Sequence, residues 1–213
     1  MTTERVNAFS DGVFAIAITL LVLDIKSPST WRITSDAELA SSIGALWPRY
    51  AAYVQSFLVI GVYWVAHHSL MTFLRRVDRV FLWLNNLFLL CVAFIPFPAS
   101  LLGSFTAYRT SSLVYGTTLV VTGMTLYATW RYASRGNRLL APDFPVLHRR
   151  SITKRILIAP LLYIVAMLVS FVQPMLCIVL YALVPLGYIL PWYGDKVPSP
   201  NSDTKPDGND TPA

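Results

Sequence analysis

Long apolar runs separated by short polar loops dominate the pattern of this chain. A helix needs roughly 20 residues to cross about 30 Å of hydrocarbon, and six of the runs approach or reach that length. The pattern predicts an all-α integral membrane protein, with six transmembrane helices in one domain over residues 1–193. The predicted spans are residues 7–25, 46–66, 80–102, 111–130, 156–173 and 175–191.

Prolines are expected to end or kink several of the later spans. The last two spans are short, and only Gln173 and Pro174 separate them, which predicts a tight helical hairpin. One long kinked helix is the alternative, but it would be far longer than one crossing needs. Pro96 and Pro98 are expected to kink or end the third span, because proline removes a backbone donor and clashes with the preceding turn. Pro160 is expected in the first turn of the fifth span, where proline is tolerated.

Composition and charge agree with a membrane protein. Hydrophobic residues make up 55% of the chain and charged residues 13%, against about 25% charged in soluble domains. Most of the 17 Lys and Arg residues fall after the second and fourth spans and near the two chain ends. The positive-inside rule then predicts that both termini are cytoplasmic, in a multi-pass protein of the cell (plasma) membrane. Residues 194–213 are polar and are expected to form a disordered cytoplasmic tail.

The first span carries a stripe of residues at helical spacing. Its members follow steps of three and four along the helix: Phe9, Gly12, Ile16, Thr19, Leu23 and Lys26. Such a stripe lines either an ordinary seam between helices or a central axis. One chain of this size is too small to hold a pore within itself, but several copies around an axis would place Ile16, Thr19 and Leu23 in rings. Rings of Ile16 and Leu23 would form hydrophobic constrictions that gate by dewetting, with hydroxyls of Thr19 between them.

Polar residues stand at the entrance of the same helix. Arg5, Ser10 and Asp11 lie in or beside the first apolar run. Charges at membrane depth are costly, so they are expected to pair and to face protein or water, which indicates an ion path. The alternative is a helix cap formed by Ser10 or Asp11, with a surface ion pair.

The sequence Arg5-x-x-x-Phe9-Ser10-Asp11, followed by Gly-Val-Phe-Ala-Ile-Ala-Ile-Thr-Leu-Leu-Val-Leu-Asp, resembles the signature of the prokaryotic form of the transmembrane protein 175 family of potassium channels. Similar family motifs follow. They are Trp64-Val65-Ala66-His67-His68, Leu84-Asn85-Asn86 and Phe94-Ile95-Pro96-Phe97-Pro98. The resemblance has specific motifs from residue 5 to about residue 102, and beyond that it rests on topology.

The resemblance implies a fold, an assembly and a function. Six helices form one repeat in this family, and a chain with one repeat implies a homotetramer whose first helix lines a central pore. Ile16 resembles the main hydrophobic constriction, and Thr19 and Leu23 resemble the next pore-facing positions. The sequence has no T-V-G-Y-G filter. Selectivity would then come from partial dehydration at side-chain rings, which implies a modest preference for potassium over sodium and leaves proton conduction open.

A second group of polar residues is expected to fix the first helix. We predict that His67 or His68, with Trp64 and with Asn85 or Asn86, hydrogen-bonds Ser10 and Asp11. A metal site is disfavoured, because adjacent residues on a helix point about 100° apart and H-E-x-x-H is absent. We expect no cofactor beyond permeant potassium ions, and no nucleic acid among the partners, which are further copies of the chain and membrane lipid.

Three other functions compete with a passive channel. A proton-coupled secondary transporter would use Asp11, His67 or His68 as a relay, but such proteins commonly show inverted repeats and a midplane site. An enzyme is not expected, since no nucleophile and base or metal-ligand spacing supports one. A membrane interaction protein without transport activity would be indifferent to mutation of the rings.

Overall fold

The computed structural model describes residues 3–28, 33–142 and 144–189, and the regular elements in these residues are helices. In chain order they are α1 (Thr3–Leu20), α2 (Asp36–Gly44), α3 (Trp47–Thr72), α4 (Arg79–Phe94), α5 (Pro96–Ser104), α6 (Arg109–Ser134), α7 (Val146–Val169) and α8 (Pro174–Ile189). A 3₁₀ turn over Leu21–Asp24 continues α1. The tail predicted at residues 194–213 lies outside the described residues.

Among the described residues, three helical stretches are long and apolar enough to cross a membrane: Thr3–Asp24, Arg79–Ser104 and Val146–Val169. The apolar part of α8 is shorter. Helices α3 and α6 are each 26 residues long but are not among these three stretches. The predicted all-helical fold is present, and the count of six spans stays a prediction.

Some polar residues of α3 and α6 bond across the contact between these two helices. The hydroxyl of Tyr63 donates to the carbonyl oxygen of Leu119 at 2.7 Å, and the hydroxyls of Ser56 and Tyr115 lie 3.0 Å apart. Both contacts are buried and join α3 to α6. Membrane helices associate through close packing and hydrogen bonds of this kind, so these two polar contacts fit buried positions within a helix bundle.

Helix ends follow local sequence signals. Asp78 caps α4, where its carboxylate accepts from the backbone N–H of Phe81 at 2.9 Å. A break at Ile95 separates α4 from α5, directly before Pro96, as the proline pattern predicts. Helix α6 gives way to a 3₁₀ turn in which Gly136 has a φ of 63°, a left-handed conformation that favours glycine.

The prediction that Pro160 lies in the first turn of its helix is wrong. Helix α7 begins at Val146, because the basic segment before the apolar run is also helical, so Pro160 lies in the helix interior. Its ring fills space that a side chain at residue 123 would occupy, since a Cβ on Gly123 would lie 2.5 Å from Cγ of Pro160. Helices α7 and α8 are separate and pack together, as the hairpin requires.

Helix α6 lies between α4 and α7, while α1 packs mainly on α3 and α4. The loops after α3 and α6 meet at one end of the bundle. There the guanidinium of Arg76 donates to the carbonyl oxygen of Arg138, and the backbone N–H of Arg75 donates to that of Leu139 at 3.0 Å. The two most basic loops therefore share one end of the bundle, as the charge pattern predicts.

Candidate functional site: the first helix and its polar support

Helix α1 has one face in the protein and one face uncovered. The inner face consists of Val6, Ser10, Phe14, Ala17 and Leu21, which are all buried. The predicted stripe lies on the outer face, where Phe9 is 57% exposed, Ile16 61% and Leu23 69%. Gly12, Thr19 and Lys26 are exposed along the same line. The large apolar side chains of this stripe therefore do not form a seam within the described part of one chain.

The Thr19 side chain presents an acceptor on this outer face. Its hydroxyl donates to the carbonyl oxygen of Ile16 at 2.9 Å, so the proton is committed to the helix backbone. A hydroxyl oxygen retains acceptor lone pairs after donating its proton. Because Thr19 is exposed, those lone pairs are available to a cation or to water beside α1.

A buried chain of hydrogen bonds holds the inner face of α1. Ser10 donates to the carbonyl oxygen of Val6 at 2.8 Å and accepts from Nδ2 of Asn85 at 3.2 Å. Oδ1 of Asn85 lies 2.8 Å from Nε2 of His67. The amide of Asn85 thus joins α1 on one side to α3 on the other. All three polar side chains are essentially inaccessible to solvent.

The direction of these bonds assigns the His67 tautomer. Because the amide nitrogen of Asn85 is the donor to Ser10, the carbonyl oxygen of Asn85 accepts, and Nε2 of His67 must carry the proton. Nδ1 of His67 is buried without a hydrogen-bond partner within the described residues. His67 therefore acts as a donor that orients Asn85, and through Asn85 it orients Ser10.

Asp11 is held separately from Ser10. Nε1 of Trp64 donates to Oδ1 of Asp11 at 2.8 Å, in a more exposed position than the Ser10 chain. The alternative of a helix cap at Ser10 or Asp11 is wrong. Helix α1 begins at Thr3, because the polar residues before the apolar run are helical too, and both motif residues lie within the helix.

Four of the residues predicted to anchor or support α1 do not join this network, because their side chains are exposed: Arg5, Phe9, His68 and Asn86. The ring of His68 lies 5.7 Å from that of Trp64, centroid to centroid. Neighbouring residues on a helix point in different directions, so one residue of each predicted pair turns inward and the other outward. Within residues 3–28, 33–142 and 144–189, no cluster of three His, Cys, Asp or Glu residues is placed to hold a metal.

Two aromatic residues at the site were not among the predicted site residues. The ring of His67 stacks on Phe88 at 5.6 Å and 10°, and Phe14 lies 5.7 Å from the same imidazole. The signal for them is helical spacing, since Phe14 is one turn after Ser10 and Phe88 is one turn after Asn85. Apolar rings therefore enclose the hydrogen-bonded chain and exclude water from it.

Comparison with known proteins identifies relatives of this arrangement. Residues 5–96 match the model of a family described as the endosomal/lysosomal potassium channel TMEM175. A potassium channel of Chamaesiphon minutus is 40% identical over 174 residues, covering 80% of this chain and 85% of that protein. Over 101 residues the chain is 41% identical to the Homo sapiens endosomal/lysosomal proton channel TMEM175, covering 45% of this chain and 20% of that protein.

A solved structure shows the same fold. It is a crystal structure of a lysosomal potassium-selective channel TMEM175 homolog from Chamaesiphon minutus, with a TM-score of 0.79 and 36% sequence identity. The match covers 88% of this chain and 96% of that chain. The likeness therefore includes α6, α7 or α8 in addition to the motif-bearing helices, since it extends well beyond residue 96.

Proposed function

This chain belongs to the TMEM175 channel family, as its motif predicts, and we propose that it is a cation channel that modestly prefers potassium to sodium. Four copies form the pore, with α1 of each copy at the central axis. The family is one of channels rather than enzymes, and the apolar helices belong in a membrane.

The uncovered face of α1 is the observation that carries this proposal. Helix α1 buries its inner face against α3 and α4 and exposes Ile16, Thr19 and Leu23 on its outer side. Lipid would cover apolar side chains alone, but the exposed hydroxyl oxygen of Thr19 between them suits a water-filled axis better than hydrocarbon. Copies related by cyclic symmetry supply such an axis with the smallest number of distinct contacts. The hydrogen bonds to Ser10 and Asp11 come from α4 and α3, so they do not cover the outer face of α1, which stays available to ions.

The chemistry of the proposed rings follows from their side chains. Rings of Ile16 and Leu23 narrow the axis with apolar groups, which repel water and set the barrier to ion entry. Between them, the lone pairs of Thr19 replace part of the hydration shell of a passing ion. Potassium sheds water more readily than sodium, so partial dehydration at Ile16 and Leu23 favours potassium to a limited extent.

We further propose that the channel lies in the cell (plasma) membrane with both termini in the cytoplasm. The basic loops after α3 and α6 meet at one end of the bundle, and this end carries the larger share of Lys and Arg. The positive-inside rule places such an end on the cytoplasmic side.

Cation flux into liposomes tests the proposal. Purified protein is reconstituted, and potassium and sodium uptake are compared for the wild type, for Ile16→Asn and for the control Leu161→Asn. Leu161 is equally exposed but lies on α7. Potassium-favoured flux that rises only in Ile16→Asn supports the pore. Absence of flux from folded, oligomeric wild type and Ile16→Asn contradicts it.

Proton conduction is a second candidate, and it is favoured by the human relative named as a proton channel. The same liposomes with an internal pH-sensitive dye and no permeant metal cation measure it directly. Acidification that requires the protein and increases in Ile16→Asn would show that protons use the same axis. Acidification that instead depends on Asp11 or His67, without potassium flux, would favour a proton-coupled transporter.

A further inference from the structure

A groove of about 410 Å³ lies between α7 and α8. These helices pack mainly on one another and on α6 and α3, so the groove belongs to a different part of the bundle from the outer face of α1. Its volume falls within the roughly 300–1,000 Å³ range of ligand pockets. The groove is open along its length, as Ile158, Leu162 and Leu183 are exposed within it.

The groove is polar at one end and apolar along the rest. On α7, Ser151, Lys154 and Arg155 line its first part, and Ile158 and Leu162 continue the same ridge at steps of about four residues. The polar part lies about one and a half to two and a half turns from the N-terminus of α7, at the end of the bundle where the basic loops meet. A ligand that fits this gradient has an anionic head and an apolar tail.

The α8 side of the groove leaves room for that tail. The hydroxyl of Tyr188 donates to the carbonyl oxygen of Arg155 at 2.5 Å, which fixes the end of α8 beside the polar part of the groove. The adjacent Gly187 lines the groove, and a Cβ built on it would meet no atom within 4 Å. The missing side chain therefore creates open space rather than a close helix contact.

We propose that this groove binds one acyl chain of an anionic phospholipid, with its phosphate held at Lys154 and Ser151. The charge of Lys154 complements the phosphate, and the Ser151 hydroxyl supplies a second hydrogen-bond donor. Basic pockets between transmembrane helices on the cytoplasmic side suit anionic head groups. The site serves lipid and not the permeant ion, so it does not depend on the assignment of the pore residues.

Native mass spectrometry of the intact protein in detergent tests the site, with dioleoyl phosphatidylglycerol and dioleoyl phosphatidylcholine as probes. The wild type is expected to retain phosphatidylglycerol preferentially. Lys154→Gln is expected to lower that retention about fivefold, which corresponds to the loss of about 1 kcal/mol per cation near an anionic surface. Arg131→Gln, at an exposed basic residue of α6 at the same end of the bundle, is the matched control and should retain the lipid.

A second variant examines the acyl chain separately. Gly187→Leu adds bulk where the structure has open space and raises helix propensity, so it should fold while losing both lipids. Leu186→Phe adds bulk at the neighbouring exposed residue, which does not line the groove, and should retain them. Equal retention of the two lipids by the wild type, or loss of lipid that is the same in each variant and its control, would overturn the proposal. Ion flux in the same preparations shows independently whether the channel is intact.

Discussion

Nε1 of Trp64 donates a 2.8 Å hydrogen bond to Oδ1 of Asp11, and this bond joins α3 to α1 beside the buried inner face of α1. One turn away, the chain from His67 through Asn85 to Ser10 reaches the same helix from α3 and α4. Both connections fix the rotation of α1 about its own axis. Its stripe of exposed residues is therefore directed away from the rest of the chain by specific bonds and not by apolar packing alone.

Removing the Trp64 donor should loosen this attachment. Trp64→Phe keeps an aromatic ring but leaves Oδ1 of Asp11 without its partner, so we expect the free energy of unfolding in detergent to fall by about 1.5 kcal/mol, the low end for a bond to a charged group at a partly exposed site. Trp83→Phe is the control, because Trp83 is 66% exposed. Equal thermal stability of the two variants would contradict a role for the Trp64 bond.

Replacing the two adjacent histidines should have very different effects on stability. His67→Ala removes a buried ring and leaves Oδ1 of Asn85 unsatisfied, which is expected to cost about 3 kcal/mol of unfolding free energy and to reduce the amount of the proposed tetramer. His68→Ala should change stability by less than about 0.5 kcal/mol, because His68 is exposed. Thermal unfolding and size-exclusion chromatography of both variants provide the comparison. If His68→Ala were the more damaging variant, the placement of the two rings would be wrong.

The sequence predicted which segments form the site but not which of two adjacent residues contacts α1. Adjacent residues point about 100° apart, so only one of His67 and His68, and one of Asn85 and Asn86, can face α1. Choosing between them requires the rotation of α3 and α4, which depends on the packing of distant residues. The stripe on α1 could be predicted because it depends only on the spacing of residues within one helix.

The helix ends were the part of the fold that was hardest to predict from the sequence. The apolar run of α7 begins near residue 156, but the helix begins at Val146, because basic residues at a membrane surface continue a helix without adding hydropathy. The interior position of Pro160 is accommodated by a glycine on another helix, Gly123. Such a pairing between distant residues leaves no periodic signal in a single sequence.

Close contact between helices depends on another glycine, Gly116 of α6. A Cβ at this residue would overlap the hydroxyl of Tyr181 and lie 2.5 Å from Cγ of Met167, and Tyr181 is itself fixed by a bond to the carbonyl oxygen of Ser112. Gly116→Ala is therefore expected to destabilise the fold by about 1–3 kcal/mol through overpacking.

Gly61→Ala on α3 is the matched control for this substitution. A Cβ there meets no atom within 4 Å, and alanine is favoured over glycine in a helix interior by about 0.5–1 kcal/mol. We expect this variant to unfold at the wild-type temperature or slightly above it. Similar melting temperatures for the two alanine variants would show that α6 and α8 can separate at no cost.

Asp78 connects three segments at the basic end of the bundle. Its Oδ1 accepts from the backbone N–H of Phe81, and its Oδ2 accepts from the hydroxyl of Tyr132 at 2.7 Å. Partial desolvation opposes ionisation of this carboxyl, but these two hydrogen bonds and the nearby Arg138 outweigh it and lower the pKa of Asp78 below its ordinary value of 3.8. The charged form is therefore the one that the folded protein stabilises.

Stability should depend on pH through this group. Because the pKa of Asp78 is lower in the folded protein than in the unfolded chain, its contribution is complete above about pH 3.8 and is lost as the pH falls through the folded-state value. Asp78→Asn still caps α4 but does not titrate. At neutral pH we expect the free energy of unfolding of the wild type to exceed that of Asp78→Asn by only about 0.5–1 kcal/mol, because the carboxyl is near the surface. We expect this difference to disappear in acid. Thermal unfolding at both pH values measures it, with Asp36→Asn at the start of α2 as the control. A difference between wild type and Asp78→Asn that stayed constant or grew on acidification would contradict the assigned direction of the shift.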